Sequence, residues 1–135
     1  MGLNEIVDLA TGKTRGYLLI DFANNSFALR SAFAVGDRVV FNDTQNRTLV
    51  YSLENGTQIG HAFGTPLDVS KDGAVAAVQN GVGELTLYSL PRMDTVDEQQ
   101  FPSEIAFARF SEDGRRLFVL TVDHTAYTIA VGAGQ

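Results

Sequence analysis

The 135-residue chain has no cysteine and no tryptophan, only two histidines, and ten Lys and Arg against sixteen Asp and Glu. Without thiols it can hold neither a disulfide framework nor a thiolate metal site. The formal net charge of −6 argues against a nucleic-acid surface, which needs clustered Lys and Arg. The nearest basic pair, Arg115-Arg116, sits beside Glu112 and Asp113. Long apolar runs are also missing. "GYLLIDF" (16–22) is too short to cross a bilayer, and no membrane partner is expected. The opening "MGLNEIVDLATGK" lacks a basic region followed by an apolar one, so no secretory leader is visible and the cytoplasm is slightly favoured.

Catalytic and cofactor signatures are equally sparse. His61 and His124 have no Asp, Glu or His at ligand spacing around them. They read as a structural hydrogen-bonding residue after a strand and a turn residue, respectively. No Gly-X-Ser-X-Gly elbow occurs. The Gly-rich "NGVGELTL" (80–87) is followed by a strand rather than a helix, so it reads as a β-turn and not a phosphate cradle. The acidic run "MDTVDEQQ" (93–100) lacks the alternating oxygen ligands and central Gly of a calcium loop. A solvated outer strand accounts for it, and its charge discourages edge pairing. No enzyme and no cofactor is expected.

What the chain does contain is a repeat. "EIVDLATGK" (5–13), "LVYSLENGT" (49–57), "TLYSLPRMDT" (86–95) and "TAYTIAVGAG" (125–134) align on Val7, Tyr51, Tyr88 and Tyr127, at spacings of 44, 37 and 39 residues. "VSKDGAVAAV" (69–78) likewise matches "FSEDGRRLFVL" (110–120). Periods near 40 with several short strands each are the mark of propeller blades. "RVVFND", "AVAAVQ" and "RLFVLTV" are short β-rich runs whose continuous apolarity suits strands covered on both faces. Asp72-Gly73, Asp113-Gly114 and Asn55-Gly56 read as primed hairpin turns. The middle unit is expected to have strands near 57–63, 66–70, 74–79 and 84–90. The three tyrosines, with Phe33, Val69 and Phe110, are expected to pack between blades.

"DLATGK" resembles the strand end and turn that close a WD-repeat blade, and Gly60-His61 with Ser70-Lys71-Asp72-Gly73 resembles that family's Gly-His and Ser-Pro-Asp-Gly landmarks. The Trp-Asp pair of the family is replaced by Tyr51-Ser52, Tyr88-Ser89 and Tyr127-Thr128, and of the family's His, Asp, Ser/Thr and Trp tetrad only His61 matches its position. The resemblance implies an all-β fold of three four-stranded antiparallel WD-like blades. It covers residues 1–135 as a single propeller segment, with repeats near 16–53, 57–90 and 94–131 and an orphan strand at 4–9.

Propeller repeats are out of phase with blades, so the strand near 16–22 belongs to the blade before the first repeat. Three blades do not close a ring. Either the chain is the C-terminal part of a longer propeller, or two copies join head to tail, each giving its 16–22 strand to the other's last blade to make six blades with twofold symmetry. An open arc would leave strand edges and apolar faces in water. The expected function is a non-catalytic scaffold that binds a protein partner or the rest of its parent chain. The alternative is an oligomeric propeller that binds small ligands or glycans at repeated sites between blades. Inter-blade loops would line one face of the disc, and their residues Asn24, Asn25, Asp43, Gln45, Asn80, Asp123 and His124 are the candidate binding set.

Overall fold

The computed structural model describes residues 2–20, 31–43, 45–90 and 92–131, and every regular element among them is a β-strand. An antiparallel hairpin comes first, β1 (Gly2–Asp8) with β2 (Lys13–Ile20). Blade 1 is the sheet β3 (Ser31–Val35), β4 (Arg38–Asn42), β5 (Arg47–Ser52) and β6 (Gln58–Phe63). Blade 2 is β7 (Thr65–Val69), β8 (Val75–Gly81), β9 (Glu84–Ser89) and β10 (Asp94–Gln100). Blade 3 has three strands, β11 (Ile105–Phe110), β12 (Arg116–Thr121) and β13 (Ala126–Ala130). Each sheet is antiparallel and runs in chain order. The inner strand β7 touches both β3 and β11, so the first strand of each blade stands along a common axis. The sheets form an open, unclosed arc. The acidic β10 lies at the outer edge of its blade, with Asp94, Glu98, Gln99 and Gln100 exposed.

Side-chain alternation explains the packing, because successive residues of a strand face opposite sides. From β4 and β5, Val40 and Val50 pack toward blade 2, against Val69, Ala76, Val78 and the half-buried Tyr88. From blade 2, Ala77, Leu85 and Leu87 pack toward blade 3, against Ala108, Phe110, Leu117 and Val119. The other side of blade 1 buries Val39, Phe41, Leu49 and Tyr51 in a cluster of their own. Of the two sides an open arc would leave bare, this one is therefore closed within the chain. Of the expected inter-blade tyrosines, Tyr127 meets Phe101 edge-on at 4.8 Å between ring centroids, whereas Tyr51 is buried against Phe41 of its own blade, edge-on at 5.7 Å.

The strand expected at 4–9 is β1, and it pairs with β2 from Gly2↔Ile20 to Asp8↔Lys13. Residues 21 and 22 of the expected 16–22 strand lie outside the described residues. The Asp-Gly turns form, but only the glycines take positive φ (75° at Gly73, 72° at Gly114), so they are not primed pairs. Each is a loop closed by its own side chains. The Ser70 hydroxyl donates to Asp72 Oδ1 at 2.7 Å, and that carboxylate accepts the Ala74 N–H at 3.0 Å. Ser111, Asp113 and Arg115 repeat the same bonds at 2.7 and 3.0 Å. In both, the carboxyl is held below the ordinary aspartate range, first by the serine hydroxyl and then by the backbone N–H.

The repeat marker of blade 3 also moves. Tyr51 pairs with Val39 and Tyr88 with Ala76, each one step inside the pair beside the first turn. The residue in that place in blade 3 is Ile129, paired with Leu117, whereas Tyr127 pairs with Val119. Tyr127 is thus the counterpart of Thr86. A two-residue slip keeps the same face, so the aromatic still packs between blades.

Candidate functional site

The turns joining the second and third strands of the blades gather at one end of the sheets, and five of the seven candidate binding residues sit in or beside them. Asn24 and Asn25 lie outside the described residues. Asp43 is buried, and its Oδ1 accepts the N–H groups of Gln45 and Arg47, both at 3.0 Å. Its Oδ2 takes Arg47 Nε at 2.7 Å and Nη2 at 2.6 Å. Burial by itself would raise this carboxyl. The Arg47 side chain, then the N–H groups of Arg47 and Gln45, outweigh it and hold the group below the ordinary range. Neighbouring groups tie the same turn to the start of blade 2: Thr48 Oγ1 donates to the Gly64 carbonyl at 2.7 Å and Asn42 Nδ2 donates to it at 3.3 Å.

Asn80 stands in blade 2 where Asp43 stands in blade 1, and it makes a different network. Its Nδ2 donates to the Phe63 carbonyl at 2.8 Å and to the Tyr88 hydroxyl at 3.0 Å, while its Oδ1 accepts the Thr86 hydroxyl. This asparagine–threonine–tyrosine set, anchored on the preceding blade's outer strand, escaped the sequence reading. Its only signal is the spacing of Asn80, Thr86 and Tyr88. In blade 3 the same place holds Thr121, whose hydroxyl donates to Asp123 Oδ1. That bond first, with Thr125 behind it, lowers the Asp123 carboxyl. His124, at φ 68°, closes the turn through its N–H to the Thr121 carbonyl at 3.0 Å. Asp43 and Asp123 are thus committed to their own turns and Asn80 to β9 and the preceding blade, whereas the exposed Gln45 and His124 are turned outward.

His61 lies within β6 rather than after it, pairs with Leu49 and is exposed, so the WD-type tetrad has no histidine here. Among the described residues no three His, Cys, Asp or Glu side chains converge to hold a metal ion. An open groove of about 520 Å³ flanks the asparagine network, lined by Asn80, Glu84, Thr86, Tyr88, Glu98 and Gln100 among others.

The largest departure from a sealed arc is on blade 3. Its far side carries Phe107, Phe118 and Leu120, with the Arg109 guanidinium 5.3 Å from the centroid of the Phe107 ring. Phe118 is 49% exposed, while its counterpart in blade 2, Ala77, is fully buried. The outer edge of β13 carries no fourth strand among the described residues. The sequence signal was present in "RLFVL", where apolar residues fall on both faces of the strand.

Solved structures similar in fold include two that match most of this chain. The C-terminal WD40 domain of Sif2 matches with 18% identity and a TM-score of 0.69, over 87% of this chain and 37% of that one. The computationally designed Ika4 protein matches with 14% identity and a TM-score of 0.67, over 95% of this chain and 79% of that one. The chain therefore spans little more than a third of the WD40 domain it resembles. No family model matches, and no curated protein does. Together with the helix-free run of antiparallel sheets around a common axis, these likenesses identify the fold as a WD-repeat-like β-propeller.

Proposed function

We propose that residues 1–135 form one propeller segment that works as a non-catalytic protein-interaction scaffold, the C-terminal part of a WD-repeat-like propeller. Its docking place is the far side of blade 3. The occupant we put forward is a second copy, joined head to tail through the 16–22 strand and the last blade in a six-bladed ring. A different protein partner, or further blades of a parent chain, would engage the same side. The observation that carries this reading is the half-exposed Phe107, Phe118 and Leu120 beside an open strand edge, in a molecule whose other inter-blade faces are buried. The glycan-binding alternative has less support, because Tyr51 and Tyr127 spend their rings on Phe41 and Phe101.

Light scattering after size exclusion tests the reading. The wild-type chain is expected at the mass of two chains and Phe118→Asp at the mass of one. A wild type that stays at one-chain mass at every concentration removes the homodimer. A Phe118→Asp variant that still pairs as wild type removes the role of this side.

A further inference from the structure

The third and outer strands meet in the same way three times. In β5–β6 the register shifts between Tyr51↔Gln58 and Val50↔Gly60. In β9–β10 it shifts between Tyr88↔Thr95 and Leu87↔Asp97, and in β1–β2 between Val7↔Thr14 and Ile6↔Gly16. One outer-strand residue (Ile59, Val96 or Arg15) is skipped at the same place each time. A bulge at a fixed place pins the register of the strand that carries it. By this measure β1 is a third strand and β2 an outer strand, although among the described residues no first and second strands accompany them in their sheet.

β13 is the other third strand, with Ile129 at the position of Val7, Tyr51 and Tyr88, and its outer edge is open among the described residues. One outer strand, β2, thus faces two third strands of the same kind, and it is held by β1.

We propose that β1 gates self-association: β2 leaves β1 and completes blade 3 of a second copy, with its Thr14 opposite Ile129 and its Lys13 opposite Ala130. The inference rests on the homodimer reading above and adds the switch that controls it. While β1 holds β2, the ladder β2 would build on β13 is unavailable, so the hairpin is the self-paired, closed state and the exchange is donation of a strand to a second copy. The two states carry the same type of ladder, so the exchange gives up few hydrogen bonds. What it gains is a paired edge on β13, beside the Phe107, Phe118 and Leu120 side that the hairpin state leaves half exposed.

The absence of native cysteine makes the test clean. Asp8 and Lys13 pair across the hairpin, so Asp8→Cys/Lys13→Cys locks β1 to β2 on oxidation. The expected masses are one chain oxidised and two chains after reduction. Two-chain mass in both states overturns the gate and leaves the homodimer standing. One-chain mass in both overturns the homodimer and the gate with it. Should the disulfide fail to close, deletion of residues 2–8 is read instead: dimerisation at least about tenfold tighter is expected, and an unchanged or weaker dimer overturns the gate. Lys13→Cys/Ala130→Cys is expected to give a cross-linked two-chain band on oxidation, and a band of one chain alone contradicts the proposed register.

Discussion

Blades 2 and 3 open with the same turn and end differently. Ser70-Lys71-Asp72-Gly73 and Ser111-Glu112-Asp113-Gly114 make the same bonds at matching distances, since that geometry is set by four neighbouring residues and needs nothing from outside. The sides the two sheets turn toward the next blade have nothing in common. Blade 2 presents Ala77, Leu87 and Gln79, and Gln79 Oε1 accepts the Ile105 N–H at the start of blade 3 at 2.8 Å. Nearer the axis, Asp68 Oδ2 accepts the Phe110 N–H at 2.8 Å. Blade 3 puts Leu120 where Gln79 stands and Arg109 where Asp68 stands. The polar ties that bind one blade to the next along the chain are replaced by an apolar surface and a cation. A turn repeats because it is local, whereas a face records what it meets.

The largest effects should separate the two faces. Leu87→Ala removes a fully buried side chain between blades 2 and 3 and should cost about 2–5 kcal/mol in urea unfolding. Phe118→Ala, at the corresponding level of the open side, should change monomer stability by less than about 1 kcal/mol. Equal losses at both positions would mean that the far side of blade 3 is as sealed as its neighbour, and the comparison would fail.

Next in size is Gly64, where the chain crosses from blade 1 to blade 2 at φ 126°. A methyl group there would sit 2.5 Å from the Gln79 carbonyl oxygen and 2.8 Å from Val78 Cγ1. Gly64→Ala should therefore cost about 2–4 kcal/mol, adding backbone strain to overpacking. Gly114→Ala, at a left-handed φ of 72° with only Ser70 Cβ within reach at 3.9 Å, should cost about 1–2 kcal/mol. A Gly64→Ala penalty no larger than that of Gly114→Ala would show that the junction between blades yields easily.

How much of this the sequence reveals depends on how local each feature is. The period near 40, the Ser-X-Asp-Gly turns and the apolar runs are properties of adjacent residues, and the all-β blades followed from them. The slip of Tyr127 against Ile129 was invisible because alternation makes residues two apart equivalent in facing, and only the pairing Leu117↔Ile129 separates them. The asparagine network was invisible for another reason: its anchor, the Phe63 carbonyl, is a backbone atom of the preceding blade and carries no residue signature. His61 misled because the Gly-His landmark was matched in letters, while the strand runs on to Phe63 and carries the imidazole outward. The five described candidate binding residues gathered at one end for a topological reason, yet most were acids and amides whose first use is to bond neighbouring strands and turns.

The second-turn carboxylates extend the comparison to pH. Asp43 in blade 1 is buried with Arg47, and Asp123 in blade 3 is exposed. Both are lowered in the folded protein, so the stability each contributes is complete above the ordinary aspartate range and is lost as pH falls through the depressed folded value. Asp43→Asn should cost about 1–2 kcal/mol at neutral pH, through the lost ion pair, and should flatten the acid limb of the stability curve. Asp123→Asn should alter that limb less, since water can replace its partners. Unfolding midpoints recorded from pH 6 down to about pH 2 give the answer, and an unchanged acid limb in Asp43→Asn would remove the turn as a source of acid sensitivity.

The smallest effect belongs to the one side-chain ion pair observed between the matching turns. Lys71 Nζ lies 2.7 Å from Glu112 Oε1, and the two side chains are 72% and 87% exposed. Water competes for both charges, and ordering two long side chains has an entropic cost, so a double-mutant cycle with Lys71→Ala and Glu112→Ala should give a coupling of about 0–1 kcal/mol that fades with added salt. A coupling near zero is what the comparison requires, because blades 2 and 3 are held by the buried contacts between Leu85, Leu87, Phe110 and Leu117 rather than by their rims. A coupling above about 2 kcal/mol would place the bond between blades in the turns, and the contrast between a local turn and a context-dependent face would lose its ground.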